Sequence, residues 1–383
     1  ISGRWPGTMN LTEPQAGSDV GALRTTATPV ADGPHAGKYL IKGTKIFITW
    51  GEHELAENIV HLVLARTPGA PEGSRGISLF IVPRFHIGAD GRPGESNDVK
   101  AVGVEHKLGI HASPTCVMSY GEHDQCYGEL IGGENQGLKC MFTMMNSARI
   151  NVGNQGVQIA ERALQAAQSY ARERVQSARA GSPDKSPVAI VEHPDVRRML
   201  LAQKSYVEGA LALVLLAARL HDDSETASDV AEREEAAALL GLLTPVVKSW
   251  PSQYGPVAND LAIQVLGGAG YTRDFDVEQH YRDNRLNPIH EGTHGIQALD
   301  LLGRKVLLDG GKALGLLVAR IAATSGRSAS CAAFPGPRDG GELQSGCDLA
   351  TKTPRPPNRK PPRSRLGPSS PKVDSSRRVR PAG

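Results

Sequence analysis

His290-Glu291-Gly292-Thr293-His294 places two imidazoles and a carboxylate within one short segment. Read literally, this is the H-E-x-x-H spacing by which a helix holds zinc beside a general base. That chemistry needs both rings on one face of a continuous helix, plus a third ligand. Pro288, Gly292 and Gly295 crowd the motif, no third His follows, and Asp300 and Asp309 are the next acids. The other reading is a carboxylate on a glycine-flanked corner between two helices. There a Glu becomes a general base once a bound substrate dries the site and raises its pKa. Spacing alone does not separate Glu291 from an ordinary solvated Glu.

Three other segments have side chains or backbone suited to a ligand. Met9 to Asp19 (MNLTEPQAGSD) combines a strand-like start, a Pro and a Gly-Ser-Asp turn, leaving N–H groups and hydroxyls for a polar ring edge or a phosphate, or forming a plain turn. Lys45 to Thr49 (KIFIT) is a strand with an aromatic and a terminal hydroxyl, suited to a planar cofactor or to core packing. Gln264 to Tyr271 (QVLGGAGY) has glycines that admit a dinucleotide against the backbone, or that end a helix. It is no Rossmann fingerprint, because the residues before it have helical rather than strand periodicity.

The elements that position these segments follow from hydrophobic periodicity. Lys38 to Thr49 alternates around Tyr39, Ile41, Ile46 and Ile48. Strands are also expected at Asn58 to Arg66, Gly76 to Val82, Val99 to Glu105 and Pro114 to Tyr120, a barrel or sandwich pattern. From Glu134 to Ala178 apolar residues recur at helical spacing. Helices are further expected at His193 to Leu220, Ser228 to Trp250, Gln253 to Leu266 and Thr293 to Leu308, which together make a bundle. The expected fold class is therefore α+β: a β-barrel or sandwich domain (residues 1–133), a helical bundle (134–325) and a disordered Pro/Arg/Ser-rich tail (326–383).

Charge distribution removes one function class. The 383 residues carry a net +3, yet Gly326 onward holds +8 and the remainder −5, so the basic character belongs to the tail and does not indicate a nucleic-acid partner. The longest apolar run, Ala210 to Ala218, falls short of the ~20 residues of a membrane helix. No signal peptide is recognised, and the five cysteines lack CxxC spacing. A soluble, cytoplasmic protein with no resident metal is expected.

Taken together and in this order, the four segments resemble the acyl-CoA dehydrogenase family, from about Trp5 to Leu308. Lys107 to Thr115 (KLGIHASPT), Met144 to Arg149 (MMNSAR), His193 to Leu200 (HPDVRRML) and His290 to Leu301 (HEGTHGIQALDL) are similar to its subgroup of larger enzymes. The resemblance implies an FAD enzyme that oxidises an acyl-CoA to the trans-2-enoyl-CoA, with Glu291 taking the α-proton and flavin N5 the β-hydride. It implies flavin contacts by Leu11, Thr12, Gly17, Ser18, Phe47, Ile48, Thr49 and Thr293, and contacts across a subunit interface by Arg174, Gln176, Gln264, Gly267 and Gly268. Ser18, Asn146, Arg149 and Gly292 are implied on the acyl-CoA side, though Arg149 is equally suited to pairing with a helix acid. A homodimer or homotetramer and an electron-transferring flavoprotein acceptor are implied as well.

The chain departs from many members at Phe47 (Trp), His290 (Tyr) and Gly295 (Gln). Some relatives carry the base near Ala148, and an Ala there leaves Glu291 as the candidate. The family's N-terminal helical domain is not found in these residues, so a catalytically incomplete flavoprotein fragment is the alternative expectation, with a zinc hydrolase through His290 and His294 as a third.

Overall fold

A computed structural model describes the backbone of residues 3–331 and the side chains through residue 325. One compact unit spans Ile1–Ser325 and contains both a strand-rich region and a helical bundle; a second begins at Gly326. The expected disorder of residues 326–383 falls almost wholly outside the described residues.

Among the described residues, ten strands come first. They are β1 (Gly7–Asn10), β2 (Thr26–Pro29), β3 (Tyr39–Thr49), β4 (Val60–Ala65), β5 (Ser78–Pro83), β6 (Phe85–Ile87), β7 (Pro93–Ser96), β8 (Val99–Val104), β9 (Thr115–Tyr120) and β10 (Tyr127–Ile131). The large sheet runs β1-β4-β5-β10-β3-β9-β8, with β2 on β3 and with β6 and β7 as a separate pair. Among the described strands the β1–β4 ladder is parallel and the other ladders antiparallel, with an isolated parallel bridge between Thr26 and Arg66. Ala27 N–H donates to the Arg66 carbonyl and Arg66 N–H to Thr25, so β2 reaches the end of β4 and the sheet curls into a barrel-like ring. Ile41, Ile48, Val63, Phe80, Val82, Met118 and Tyr120 fill its interior. Alternation on β3 places Ile41, Lys45 and Ile48 inside and leaves Lys42, Thr44, Phe47 and Thr49 exposed.

A polar chain crosses that interior. Tyr120 Oη donates to Asn10 Oδ1 (2.8 Å), Asn10 Nδ2 donates to Thr8 Oγ1 (2.8 Å), and Thr8 Oγ1 lies 2.7 Å from His61 Nδ1. Burial lowers the His61 pKa to about 3, so the ring is neutral and pairs with the Thr8 hydroxyl through Nδ1. These bonds fix β1, and β1 leads straight into the Leu11–Thr12 loop.

Three long helices follow: α1 (Gly137–Glu173), α2 (Pro194–Thr226) and α3 (Val230–Leu266). The shorter α4 (Val277–Asn284), α5 (His294–Asp300) and α6 (Lys312–Cys331) come after them. Two helices were expected where α3 is continuous through Pro245, Pro251 and Pro256. Proline leaves the carbonyl four residues earlier without its helical donor, and the neighbours compensate. Lys305 Nζ donates to the Gly241 carbonyl freed by Pro245. The Val247 carbonyl freed by Pro251 faces Gly153 of α1, where a Cβ would lie 2.3 Å from the oxygen. Glycine is required there by close packing.

The expected helix over Thr293 to Leu308 is instead α5 and a π-turn (Leu301–Lys305). A left-handed break at Asp309 and Gly310 separates them from α6, which continues to Cys331, past the expected boundary. α2 is long and apolar enough over one window to span a bilayer. Its Met199, Leu200, Val207, Ala210, Val214, Ala217 and Leu220 are instead buried among the helices.

Candidate active site

The corner that carries Glu291 is built from buried amides upward. Asn284 at the end of α4 donates to the Gly156 carbonyl of α1 (3.1 Å) and to Asn259 Oδ1 of α3 (2.6 Å), and Asn287 donates back to Asn284 Oδ1 (2.8 Å). All three asparagines are fully buried. They pin the chain leaving α4 to both long helices. A helical turn then ends at His290, whose N–H reaches the Leu286 carbonyl, and the backbone reverses through left-handed Glu291 (φ +54°) and Gly292 (φ +89°). Thr293 is extended and caps α5.

A left-handed non-glycine residue costs of order 1 kcal/mol and persists only where its surroundings hold it. Two side chains do so here. Gln297 Nε2 donates to the carbonyls of Glu291 (3.0 Å) and Gly292 (3.2 Å). Lys248 Nζ, on α3, donates to those of Gly292 (2.6 Å) and Asn287 (2.9 Å). The Glu291 carboxylate is largely withdrawn from water. Burial raises its pKa, and the nearby cations Arg149 and Lys248 oppose the rise.

Arg149 is 2% exposed, and its Nη1 sits 2.8 Å from Asp300 Oδ2. Asp300 also accepts from Arg304 at 2.6 Å. The guanidinium thus pairs with a helix acid and does not reach the surface. Asn146, one helical turn earlier, lines an open recess of about 360 Å³ with Leu138, Lys139, Phe142 and Arg304.

The zinc geometry does not form. Glu291 and Gly292 interrupt any helix between the two rings, and α5 begins only at His294. His294 Nδ1 instead faces Ser249 Oγ at 2.6 Å, and His290 Nδ1 faces the Leu286 carbonyl at 3.3 Å. Among the described residues no three His, Cys, Asp or Glu side chains converge to hold a metal ion.

On the strand side, the Met9-to-Asp19 and Lys45-to-Thr49 segments meet. Ile46 N–H donates to the Thr12 carbonyl (2.9 Å), and Lys45 Nζ reaches the Leu11 carbonyl (3.2 Å). Beneath them Glu13 accepts from Lys45, Thr25 and the Arg24 backbone. The β3–β9 register slips between Lys45 and Ile48, and at that bulge Phe47 takes φ +60° with its ring 59% exposed. Trp50 is also left-handed and exposed. Ile48 is buried, with its side chain in the strand-domain core. The exposed Phe47 ring and Thr49 hydroxyl beside part-exposed Leu11 and Thr12 make a surface fit for a flat, partly apolar ring with polar edges. Gly17 opens onto free space next to it.

Leu11 and Ala16 pack with Leu138, Met141, Met144 and Met145, so the loop rests on the first turns of α1. The same helix carries Arg149 to the Glu291 corner. Arg174 and Gln176 lie at its far end, about 37 Å from Arg149 at ~1.5 Å per residue. Val265, Leu266 and Ala269, from the segment holding Gln264, Gly267 and Gly268, pack with Ala167, Tyr170 and Ala171 at that end. Gly267 ends α3 with φ +60°.

Sequence reading missed Glu13, Lys248 and Gln297. Two were signalled: a Lys inside the apolar run of α3 and a Glu held within the loop. Gln297 lies within the HEGTHGIQALDL stretch, where no local pattern marks its contact with the corner carbonyls.

Fold and site together define a strand-rich domain with an exposed aromatic-and-hydroxyl surface, followed by a helical bundle with a largely buried corner carboxylate. The acyl-CoA dehydrogenase middle-domain model matches residues 8–122 and the C-terminal-domain model residues 135–307. The chain belongs to the acyl-CoA dehydrogenase family, flavoprotein oxidoreductases acting on CH–CH donors. It is 52% identical over 326 residues to 3-methylmercaptopropionyl-CoA dehydrogenase of Ruegeria pomeroyi, covering 85% of this chain and 54% of that protein. It is 34% identical over 314 residues to an acyl-CoA dehydrogenase of Bacillus subtilis, covering 81% of this chain and 70% of that one. The fold matches Caenorhabditis elegans ACDH-11 in complex with C11-CoA at TM-score 0.71 and 26% identity, covering 85% of this chain and 50% of that one. The chain therefore spans about half the length of several proteins that it resembles.

Proposed function

We propose that this chain carries the flavin-facing and base-bearing part of an FAD-dependent acyl-CoA dehydrogenase, with Glu291 taking the α-proton of an acyl-CoA thioester on the way to the trans-2-enoyl-CoA. One observation carries the reading: a carboxylate held on left-handed backbone, withdrawn from water, with its proton affinity raised by burial. A thioester α-proton is too weakly acidic for an ordinary solvated carboxylate, so the base must gain basicity and the thioester oxygen must be held by donors. The Glu291 backbone N–H is one such donor, oriented by the reversal at Gly292. FAD, when bound, supplies the acceptor for the β-hydrogen as hydride.

Leu11, Thr12, Phe47, Thr49 and the Ile48 backbone are proposed to hold the ring, Gly17 and Ser18 the phosphates, and Thr293 the edge beside the base. Asn146, Ser18 and Gly292 face the acyl-CoA, while Arg149 acts through Asp300. Arg174, Gln176, Gln264, Gly267 and Gly268 stand too far along the bundle to share that cofactor within one chain. They are proposed to serve the flavin of a second copy, which supports a homodimer or homotetramer. An electron-transferring flavoprotein is the proposed acceptor.

A flavin-holding chain without turnover is the second reading. The purified chain, loaded with FAD and mixed anaerobically with a panel of saturated acyl-CoAs, separates the two. Loss of the flavin band near ~450 nm supports the dehydrogenase. Bound but unreduced flavin leaves the second reading, and failure to hold flavin contradicts both.

A further inference from the structure

We infer that Lys248 is a positioning residue for the proposed base: from α3 its ammonium grips the carbonyls flanking the Glu291 corner and sets a positive charge beside the carboxylate. The inference rests on the reading of Glu291 as the base.

Lys248 is fully buried, and among the described residues no carboxylate lies within ion-pair distance of its Nζ. It donates to the Gly292 carbonyl at 2.6 Å and the Asn287 carbonyl at 2.9 Å. A buried ammonium is far costlier than an amide or an apolar side chain of similar length. If the corner needed only a clamp, the neutral donor Gln297 already reaches the Glu291 and Gly292 carbonyls. What Lys248 adds is charge.

That charge has a use. Burial alone drives Glu291 toward its protonated form, which cannot accept a proton. Two cations from two helices, Arg149 on α1 and Lys248 on α3, pull the other way. Arg149 is already engaged by Asp300, which leaves Lys248 as the cation whose charge is answered by no nearer carboxylate. Burial lowers its own pKa to about 8, and Glu291 opposes that. The remaining titratable neighbours, His290 and His294, are held toward their neutral forms by burial, with Lys248 adding to the effect on both and Arg285 to that on His294. Lys248 thus keeps the resting base ionised and ready, while the same bonds hold it in its left-handed pose.

The test is the ionisation of Glu291 itself, followed by carbon-13 NMR of glutamate-labelled protein and assigned with Glu291→Gln. Lys248→Met is expected to raise the Glu291 midpoint by about 1 pH unit, and Lys248→Arg to bring it back toward wild type. In FAD-loaded protein reduced by butanoyl-CoA, the rate in Lys248→Met falls about tenfold at pH 6 and recovers at high pH, with little change in KM. A Glu291 midpoint that stays put or drops in a folded Lys248→Met protein overturns the inference, whatever happens to the melting temperature. Should that variant not fold, the wild type answers alone: the Glu291 signal must respond as Lys248 titrates near pH 8, and an inert signal there overturns it equally. Wild-type flavin that butanoyl-CoA and longer acyl-CoAs fail to reduce would defeat the dehydrogenase reading instead, leaving the NMR result to stand or fall by itself.

Discussion

The Lys45 ammonium lies 2.8 Å from the Glu13 carboxylate, and both side chains are sealed from solvent, at 0% and 3% exposure. β3 and the Leu11–Thr12 loop are joined through this pair, because Lys45 also reaches the Leu11 carbonyl and Glu13 holds Thr25. Removing one partner strands a buried charge. Glu13→Ala is expected to cost about 3–5 kcal/mol by urea denaturation and to weaken FAD retention. The paired apolar change Glu13→Leu with Lys45→Met should recover most of the stability.

The same pair has a pH signature. Burial favours the protonated Glu13, but Lys45, Thr25 and the Arg24 backbone outweigh it and lower the pKa to about 2. A depressed carboxylate stabilises the fold above its unfolded pKa and loses that contribution as pH falls. Wild type should therefore lose stability between pH 4.5 and 2 more steeply than the apolar double variant, read by thermal melts across that range.

Glu291 has the opposite sign. Its raised pKa means that the folded state holds the proton more tightly, so its ionisation costs stability as pH climbs above the unfolded value. Glu291→Gln should melt higher than wild type at pH 7, with the gain vanishing at pH 4. A gain that grows toward low pH would contradict the assignment of a destabilised carboxylate.

Phe47 combines φ +60° with an exposed ring, an arrangement that costs the fold and gains it no core. Phe47→Gly relieves the backbone and should raise the stability of the flavin-free protein by about 1 kcal/mol. If the ring exists to meet a flavin, the same change must speed flavin loss, measured by dilution and fluorescence recovery. Unchanged flavin release removes Phe47 from the site.

Gly292 tests the corner from within. At φ +89°, with Gln297 Nε2 2.7 Å from where a Cβ would stand, Gly292→Ala both strains the backbone and pushes away a donor to the Glu291 carbonyl. A loss of about 1–3 kcal/mol is expected in denaturation, and adding Gln297→Ala should not restore it.

Much of this architecture can be read from residue patterns, because burial writes itself into spacing. β3, β8 and β9 alternate, β4 and β5 are short, mostly buried runs, and α1 and α2 repeat every three to four residues. α4 escaped notice because VEQHYRDN buries only Val277 and Asn284, and α3 was split because Pro251 conventionally ends a helix. Lys305 supplies a donor to the Gly241 carbonyl and Gly153 of α1 leaves room for that of Val247, and no local pattern encodes either. Glu291 is singled out by the family resemblance of its motif, not by spacing alone. Gln297 and Lys248 acquire their roles only when the chain folds back on itself, as does the pairing that takes Arg149 away from the surface.

The central claim is that Glu291 is the base. Glu291→Gln keeps the size of the side chain, the bond from Gln297 to the residue 291 carbonyl and the grip of Lys248 on the Gly292 and Asn287 carbonyls, and removes the proton acceptor. In FAD-loaded protein under anaerobic acyl-CoA, the flavin is expected to stay bound while its reduction slows by about 10²–10⁴-fold or more. Reduction at the wild-type rate would contradict the account.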